Sequence, residues 1–309
     1  MNSGLIGALG AAPLQTVKNR LGSFQGRSYT HIPVATDGAF IVGPKPDSTT
    51  TGGNKRGIGA IDIHPKVSKP INSYVASGDY SILIGQENQA SGANSTAIGY
   101  RSTATGVDSQ AFGLRASASG TRSLAIGNSG ISSNASATGT SSIAIGSGNS
   151  ALGTNSVVIG QFSLADRYGQ FAYSSGAFIT AGDAQQVAFI VRRKTTTNAA
   201  VELMLDGAST RLTITSGKAI HATVKIIGIK SDGSAAAVYL RQVAIKNVAG
   251  TTSLIGSVIT LGTDEALGTS ISITADDTND ALKIEVTGIA AETLRWLAII
   301  EGVEVAYGT

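Results

Sequence analysis

Between residues 85 and 160 the chain places glycine at 85, 92, 99, 106, 113, 120 and 127, and again at 139, 146, 153 and 160. This is a strict seven-residue period, interrupted once by five extra residues near 129–134. A heptad of glycine is not a coiled coil, because each glycine disfavours a helix interior by nearly 1 kcal/mol and coiled-coil seams require branched aliphatics. Every second unit carries Ser-x-x-x-Gly: Ser81 to Gly85, Ser95 to Gly99, Ser109 to Gly113, Ser123 to Gly127, Ser142 to Gly146 and Ser156 to Gly160. The alternate units, ending at Gly92, Gly106, Gly120, Gly139 and Gly153, place Ala90, Ala104, Ala118, Ala137 and Ala151 two positions before their glycine. The structural repeat is therefore fourteen residues long, far too short for a helical repeat and long enough for two short strands and two corners.

In an extended strand side chains alternate, so the Ser, Ala and Gly of each unit share one face while Thr96 and Ile98, or Leu124 and Ile126, share the other. All of these glycines, from Gly85 to Gly160, are expected to supply positive-φ corners. Stacking in register gives a ladder of Ile84, Ile98, Phe112, Ile126, Ile145 and Ile159, expected as the core column of the roll, and a parallel column of serines from Ser81 to Ser156. At about 4.8 Å per stacked strand, five to six coils reach on the order of 25 Å. So thin a solenoid buries little apolar area against the entropy of ordering it. A homotrimer closed about the ladder axis covers the remaining apolar face.

The Ser-x-Ala-Ile-Gly units, as in Ser95 to Gly99 and Ser142 to Gly146, resemble the head repeat of trimeric autotransporter adhesins. The resemblance implies a left-handed parallel β-roll in a homotrimer. A whole autotransporter is not expected, since no heptad stalk or anchor-barrel pattern accompanies the repeat. Ahead of the roll, Lys55-Arg56-Gly57-Ile58-Gly59-Ala60-Ile61-Asp62-Ile63-His64 and Val75-Ala76-Ser77-Gly78-Asp79-Tyr80-Ser81 resemble the segment leading into such rolls in bacteriophage tail fibre and tail tip proteins. That likeness implies a short strand feeding the first coil.

After Gly160 the pattern changes to longer alternating strands, expected at 186–194, 201–205, 211–215, 219–230, 236–246, 253–261, 270–275, 281–287 and 294–305, with turns at Asp206-Gly207, Ser216-Gly217 and Asp232-Gly233. The fold class is thus all-β: a homotrimeric parallel β-roll built from 14-residue repeats, followed by a C-terminal antiparallel, jelly-roll-like β-sandwich tip. The expected domains are a virion-attachment segment and connector at 1–54, a lead-in at 55–80, the roll at 81–160, a junction at 161–183 and the tip at 184–309. Gly182 to Gln185, Leu205 to Gly207 and Leu294 to Ala298 resemble the distal domain of phage tail fibres.

Composition narrows the chemistry. With 42% hydrophobic residues and a net charge of +3, the 309-residue chain lies outside the disordered class. No cysteine is present, which excludes disulfides, thiolate metal sites and thiol nucleophiles. No apolar run approaches the ~18 residues of a membrane-spanning helix, and no basic residue precedes the apolar residues 1–12 as a secretory signal requires. Lys55-Arg56 and Arg192-Arg193-Lys194 are too short for a nucleic-acid stripe and are expected as solvated turns or strand ends. His31, His64 and His221 lie far apart, no Gly-x-Ser-x-Gly or Walker motif occurs, and neither catalytic nor metal residues nor a cofactor are expected. Asp276-Asp277-Thr278-Asn279-Asp280 offers calcium-type oxygens but is expected as a polar hairpin turn. Trp296 is expected in the core, and Tyr168, Phe171 and Tyr173 are expected to pack the junction.

The function this implies is adhesion: a phage tail fibre or receptor-binding protein in the virion tail, held through its N-terminus by other tail or baseplate proteins and contacting a host surface glycan or outer-membrane receptor. Its receptor-binding residues are unknown from sequence. A structural head fibre or decoration protein and a fragment of a bacterial adhesin are the alternatives.

Overall fold

A computed structural model describes residues 40–43, 46, 48–49, 53–64, 73–128 and 134–307, together with short strand pieces between 23 and 31. Most of the expected N-terminal attachment segment and most of the interruption near 129–134 lie outside the described residues. Every regular element described is a strand, and among the described residues no helix is long and apolar enough to cross a membrane. The chain divides into two compact units, residues 1–114 and 115–309.

In the first unit, Phe40–Val42, Ile61–Ile63, Ile82–Gln86, Thr96–Tyr100 and Gln110–Leu114 form one parallel ladder in strict register, with Ile84 beside Ile98 and Ile98 beside Phe112. The shorter strands Gln89–Ala90 and Thr103–Ala104 pair in a second parallel ladder. Each coil is therefore one five-residue strand, a corner, one short strand and a second corner. The lead-in strand expected from the sequence is Ile61–Ile63.

The second unit begins with the same construction. Leu124–Asn128, Ile143–Ser147, Val157–Gln161 and Phe171–Ser175 stack in parallel, and so do Ala116–Ala118, Ala135–Ala137, Ser150–Ala151 and Leu164–Ala165. The roll thus continues one coil past the expected end at residue 160. In that last coil Arg167 stands where the repeat has glycine and Gln170 where it has serine. The Gln170 amide closes the coil, its oxygen accepting from the N–H groups of Asp166 and Arg167 and its nitrogen donating to the Leu164 carbonyl.

The structure inverts the expected faces of the roll. Ser81, Ser95, Ser109, Ala97, Ala111, Ala144, Ala104 and Ala137 are all 0% exposed and fill the interior. The ladder expected as the core lies outside: Ile84, Ile126 and Ile159 are 37–38% exposed, and Ile98, Phe112 and Ile145 are half-buried. The reason is size. Two strands of a fourteen-residue coil lie so close that most interior positions take Ser- or Ala-sized side chains, with Leu83 and Val158 as the larger members of their columns.

The corners differ as well. The left-handed residue falls two positions after the glycine, at Glu87, Asn94, Arg101, Asp108, Arg115, Arg122, Ser141, Asn155 and Phe162, with φ of 55–58°. Among the glycines expected as corners, Gly85, Gly99, Gly113, Gly146 and Gly160 do have positive φ, of 100–129°. Gly92, Gly106, Gly120, Gly139 and Gly153 do not, so the positive-φ role expected for these five is corrected. Gly127 lies inside the strand Leu124–Asn128, beside Gly146.

Stacking is the demand that both glycine sets share. A methyl group at Gly99 would lie 2.0 Å from the Gly113 carbonyl oxygen, and one at Gly92 2.0 Å from that of Gly106. At Gly120 it would lie 2.2 Å from the Gly139 oxygen, at Gly139 2.2 Å from the Gly153 oxygen, and at Gly153 2.1 Å from the Arg167 oxygen. Backbone that close leaves no room for a Cβ, whatever the φ.

From Phe171–Ser175 the chain turns back, and Ala184–Thr195 pairs with it antiparallel. Ala184–Thr195 then pairs Leu294–Ala306, which pairs Lys218–Lys230, followed by Ala236–Val248 and Thr251–Leu254, all antiparallel. A second antiparallel sheet contains Ala200–Glu202, Ala281–Thr287 and Ser270–Asp276. The buried side chains are large: Phe189, Val191, Trp296 and Ile300 from the first sheet, Ile284 and Val286 from the second. Trp296 is 2% exposed, donates its indole N–H to Thr195 Oγ1 at 3.0 Å, and lies over Gly228, where a methyl group would be 2.4 Å from the ring. The expected strand at 211–215 forms only an isolated bridge at Thr213, although Leu212 and Ile214 are buried. The expected strand at 253–261 is two strands, Thr251–Leu254 and Ile259–Thr260, broken where Gly256 takes φ 75°.

Candidate functional site

Three surfaces follow from this architecture. The first is the outward aliphatic face of the five-residue strands. In the second unit it runs in register through Ile126, Ile145, Ile159 and Tyr173, with Phe171 beside Val157. Phe171 and Tyr173 are 38% and 45% exposed and point outward rather than packing the junction. Tyr168 accepts a hydrogen bond from Asn155 Nδ2 at 3.1 Å.

The second is the joint at the end of the roll. Glu304, 1% exposed, accepts from Arg167 Nη1 at 2.6 Å, Lys218 Nζ at 2.9 Å and Gln185 Nε2 at 2.8 Å. The Arg167 guanidinium also stacks 5.6 Å from the Phe189 ring centroid. Two buried cations and one carboxylate tie the last coil to the strands that follow. This arrangement positions the last coil against the strands that follow. Sequence reasoning missed it, and its signal was the double break of the repeat at Arg167 and Gln170.

Beside the joint, Asp183 accepts from the N–H groups of Phe178, Ile179 and Thr180. Burial pushes its carboxyl pKa up, but these three donors outweigh burial and hold it below the usual range. The loop so fixed carries Phe178 and Ile179 at 75% and 72% exposure.

The third surface is the outer face of the three-stranded sheet, where Ser272, Thr274, Lys283 and Glu285 point to solvent. Lys283 bonds Glu285 at 2.9 Å, and Arg211 bonds Glu202 at 3.0 Å. The calcium-type cluster is a hairpin turn: Asp276 accepts from Asn279, while Asp277 and Asp280 accept from the Thr252 N–H and hydroxyl. Among the described residues no group of three or more acidic or histidine side chains is placed to hold a metal.

Arg56, expected in a solvated turn, is 3% exposed and paired with Asp62, whose other oxygen bonds His64 Nδ1 at 2.7 Å. His64 is 4% exposed, and His221 is exposed against Gln242. The side chain of His31 lies outside the described residues. Lys194 is a solvated strand position, as expected, whereas Arg192 and Arg193 donate to the carbonyls of Leu205, Asp206 and Ala208.

The repeat region matches the YadA head domain repeat at residues 76–102, 104–129 and 137–163. The protein therefore carries adhesin-type head repeats over about a quarter of its length. No curated protein matches the chain. Among solved structures it is similar to a tailspike protein, gp49, from the Acinetobacter baumannii bacteriophage Fri1, a capsular polysaccharide depolymerase, at 11% identity and a TM-score of 0.27, covering 73% of this chain and 40% of that one. It is also similar to the tailspike of Acinetobacter phage vB_ApiP_P1, at 10% identity and a TM-score of 0.21, covering 74% and 51%. The chain spans about half the length of these tailspikes or less, and at such scores no residue here takes a role from them.

Proposed function

We propose that the protein is a phage tail fibre that attaches the virion to the host cell as a homotrimer. Residues 1–54 would be held by other virion proteins, the roll would be the shaft, and the two-sheet C-terminal region, read as a β-sandwich, would be the tip. The observation that carries this reading is the pair of outward ladders, Ile84, Ile98 and Phe112 in the first unit and Ile126, Ile145 and Ile159 in the second, on a repeat of the adhesin head type. A ladder of large aliphatics in strict register, left half-exposed on a roll with an alanine and serine interior, is a face built to be covered. Closed symmetry covers it with copies of itself, and the glycines at the repeat positions keep the coils close enough to stack. The receptor end would be the tip, because its three-stranded sheet presents hydroxyls and charges suited to a surface glycan, and three such tips on one axis gain avidity from weak contacts.

The test is binding of the purified full chain to intact host cells, beside variants carrying Thr274→Trp or Glu285→Lys on the polar sheet face. Saturable binding weakened by these substitutions supports a receptor-binding tip. Absence of binding would leave a structural virion fibre, and release of reducing ends from capsular polysaccharide would replace adhesion with depolymerisation.

A further inference from the structure

We infer that the outer face of the five-stranded sheet in the C-terminal region is a second self-association surface, covered by the same face of other copies of this chain. The inference rests on the trimeric reading of the roll and extends it to a region with no repeat. The outward positions of this sheet are apolar across four strands. Ile190 is paired with Ile299, Ile227 with both Leu297 and Val238, and Leu240 lies next along the same row. Ile190, Ile227, Val238 and Leu297 are 38–48% exposed, and Ile227, Val238, Leu240, Leu297 and Ile299 line a groove of ≈ 380 Å³. Within the groove the one cation, Lys225, bonds Glu301 at 2.7 Å, and Arg192 turns to the carbonyls of Leu205 and Asp206, while Lys194, Arg295 and Lys246 stand toward the strand ends.

The occupant follows from continuity. Phe171 and Tyr173 end the outward ladder of the roll's last coil, and their strand is hydrogen-bonded to Ala184–Thr195, Phe171 opposite Ala188 and Tyr173 opposite Gln186. Ala188 and Ile190 share the outer face of that strand, so the roll's aliphatic face and this one are a single uninterrupted sheet surface. Copies that meet over Ile145, Ile159 and Tyr173 bring their own Ile190 and Leu297 alongside each other without any further chain. A membrane or nucleic acid would require unpaired cations among these aliphatic side chains, and the one cation lining the groove, Lys225, is paired with Glu301. The opposite sheet shows how this chain builds a face meant for solvent: Ser272, Thr274, Lys283 and Glu285.

Since the chain has no cysteine, single-cysteine variants report each face directly. Ile98→Cys on the roll, Ile227→Cys on the apolar sheet face and Thr274→Cys on the polar face would be labelled with a soluble maleimide, with fluorescence of the lone Trp296 verifying the folded tip. The expected result is labelling at positions 98 and 227 about a hundredfold slower than at 274, since a covered side chain reacts only on opening. Slow labelling at 98 with 227 as fast as 274 would overturn this inference and leave the trimeric roll standing. Fast labelling at all three positions would overturn both.

Discussion

Inside the roll the buried column is Ser95, Ala97, Ala104 and Ala111, whereas inside the C-terminal region it is Phe189, Trp296, Ile284 and Ile300, buried to the same degree. Equal burial of unequal side chains means unequal stabilisation. At about 25 cal/mol per Å² of apolar surface, an alanine interior contributes a fraction of what the aromatic and aliphatic one does. The tip holds a core of its own. The roll relies on continuous backbone ladders, on buried amides such as Asn88, which bridges the carbonyls of Ile84 and Gly99 while accepting from the Ser102 N–H, and on whatever covers its outward isoleucines.

The sharpest break in that comparison is at the joint between the two. Glu304→Ala would leave Arg167 and Lys218 buried without their carboxylate, a loss of about 3–5 kcal/mol. We expect a thermal transition, followed by Trp296 fluorescence, lowered accordingly; a change under about 1 kcal/mol would show that the joint is not what holds the roll to the tip. Within the roll, Gly99→Ala drives a methyl group against the Gly113 carbonyl oxygen, whereas Gly233→Ala in the tip meets nothing within 4 Å. The former should cost about 3 kcal/mol and the latter about 1 from its positive φ alone. Equal losses in denaturant titrations would remove close stacking as the reason for the glycines.

Acid should separate the regions too. Burial pushes the Asp62 carboxyl pKa up, but the bond from His64 and the charge of Arg56 outweigh burial and hold it below the usual range. A depressed carboxyl contributes stability that is complete above its unfolded value of about 3.9 and is lost as pH falls through the folded value. The protection factors of the Ile61–Ile63 amides, with the intrinsic pH dependence of exchange divided out, should therefore be steady near neutral pH and fall below about pH 4. Protection that is unchanged down to pH 2 would contradict the pairing. The smallest effect expected is at Ser95, whose buried hydroxyl has no hydrogen-bond partner. Ser95→Ala should be neutral or stabilising by up to about 1 kcal/mol, and a loss of stability would reveal a partner for that hydroxyl.

Most of the architecture was legible because it is periodic. The glycine register fixed coil length, and seven of the nine expected tip strands exist within a few residues of their predicted ends. The face assignment failed because two-residue alternation says which side chains share a face, not which face is inside; the width of the coil decides that. The corner assignment failed at Gly92, Gly106, Gly120, Gly139 and Gly153 because the glycine and the left-handed residue two positions later recur with the same period, so spacing alone cannot separate a φ requirement from a stacking one. Arg56 read as solvated because its partner lies six residues away across a turn. The joint was invisible because Arg167 and Glu304 are 137 residues apart, and only the loss of glycine and serine from the last coil marks its place.

The most direct measurement is the solution mass of the full chain at micromolar concentration by sedimentation equilibrium. The account predicts a species of three times the 31.2 kDa chain mass that does not dissociate on dilution without unfolding. A folded, monodisperse single chain would contradict it, because the outward isoleucine ladder would then be a stable face in water.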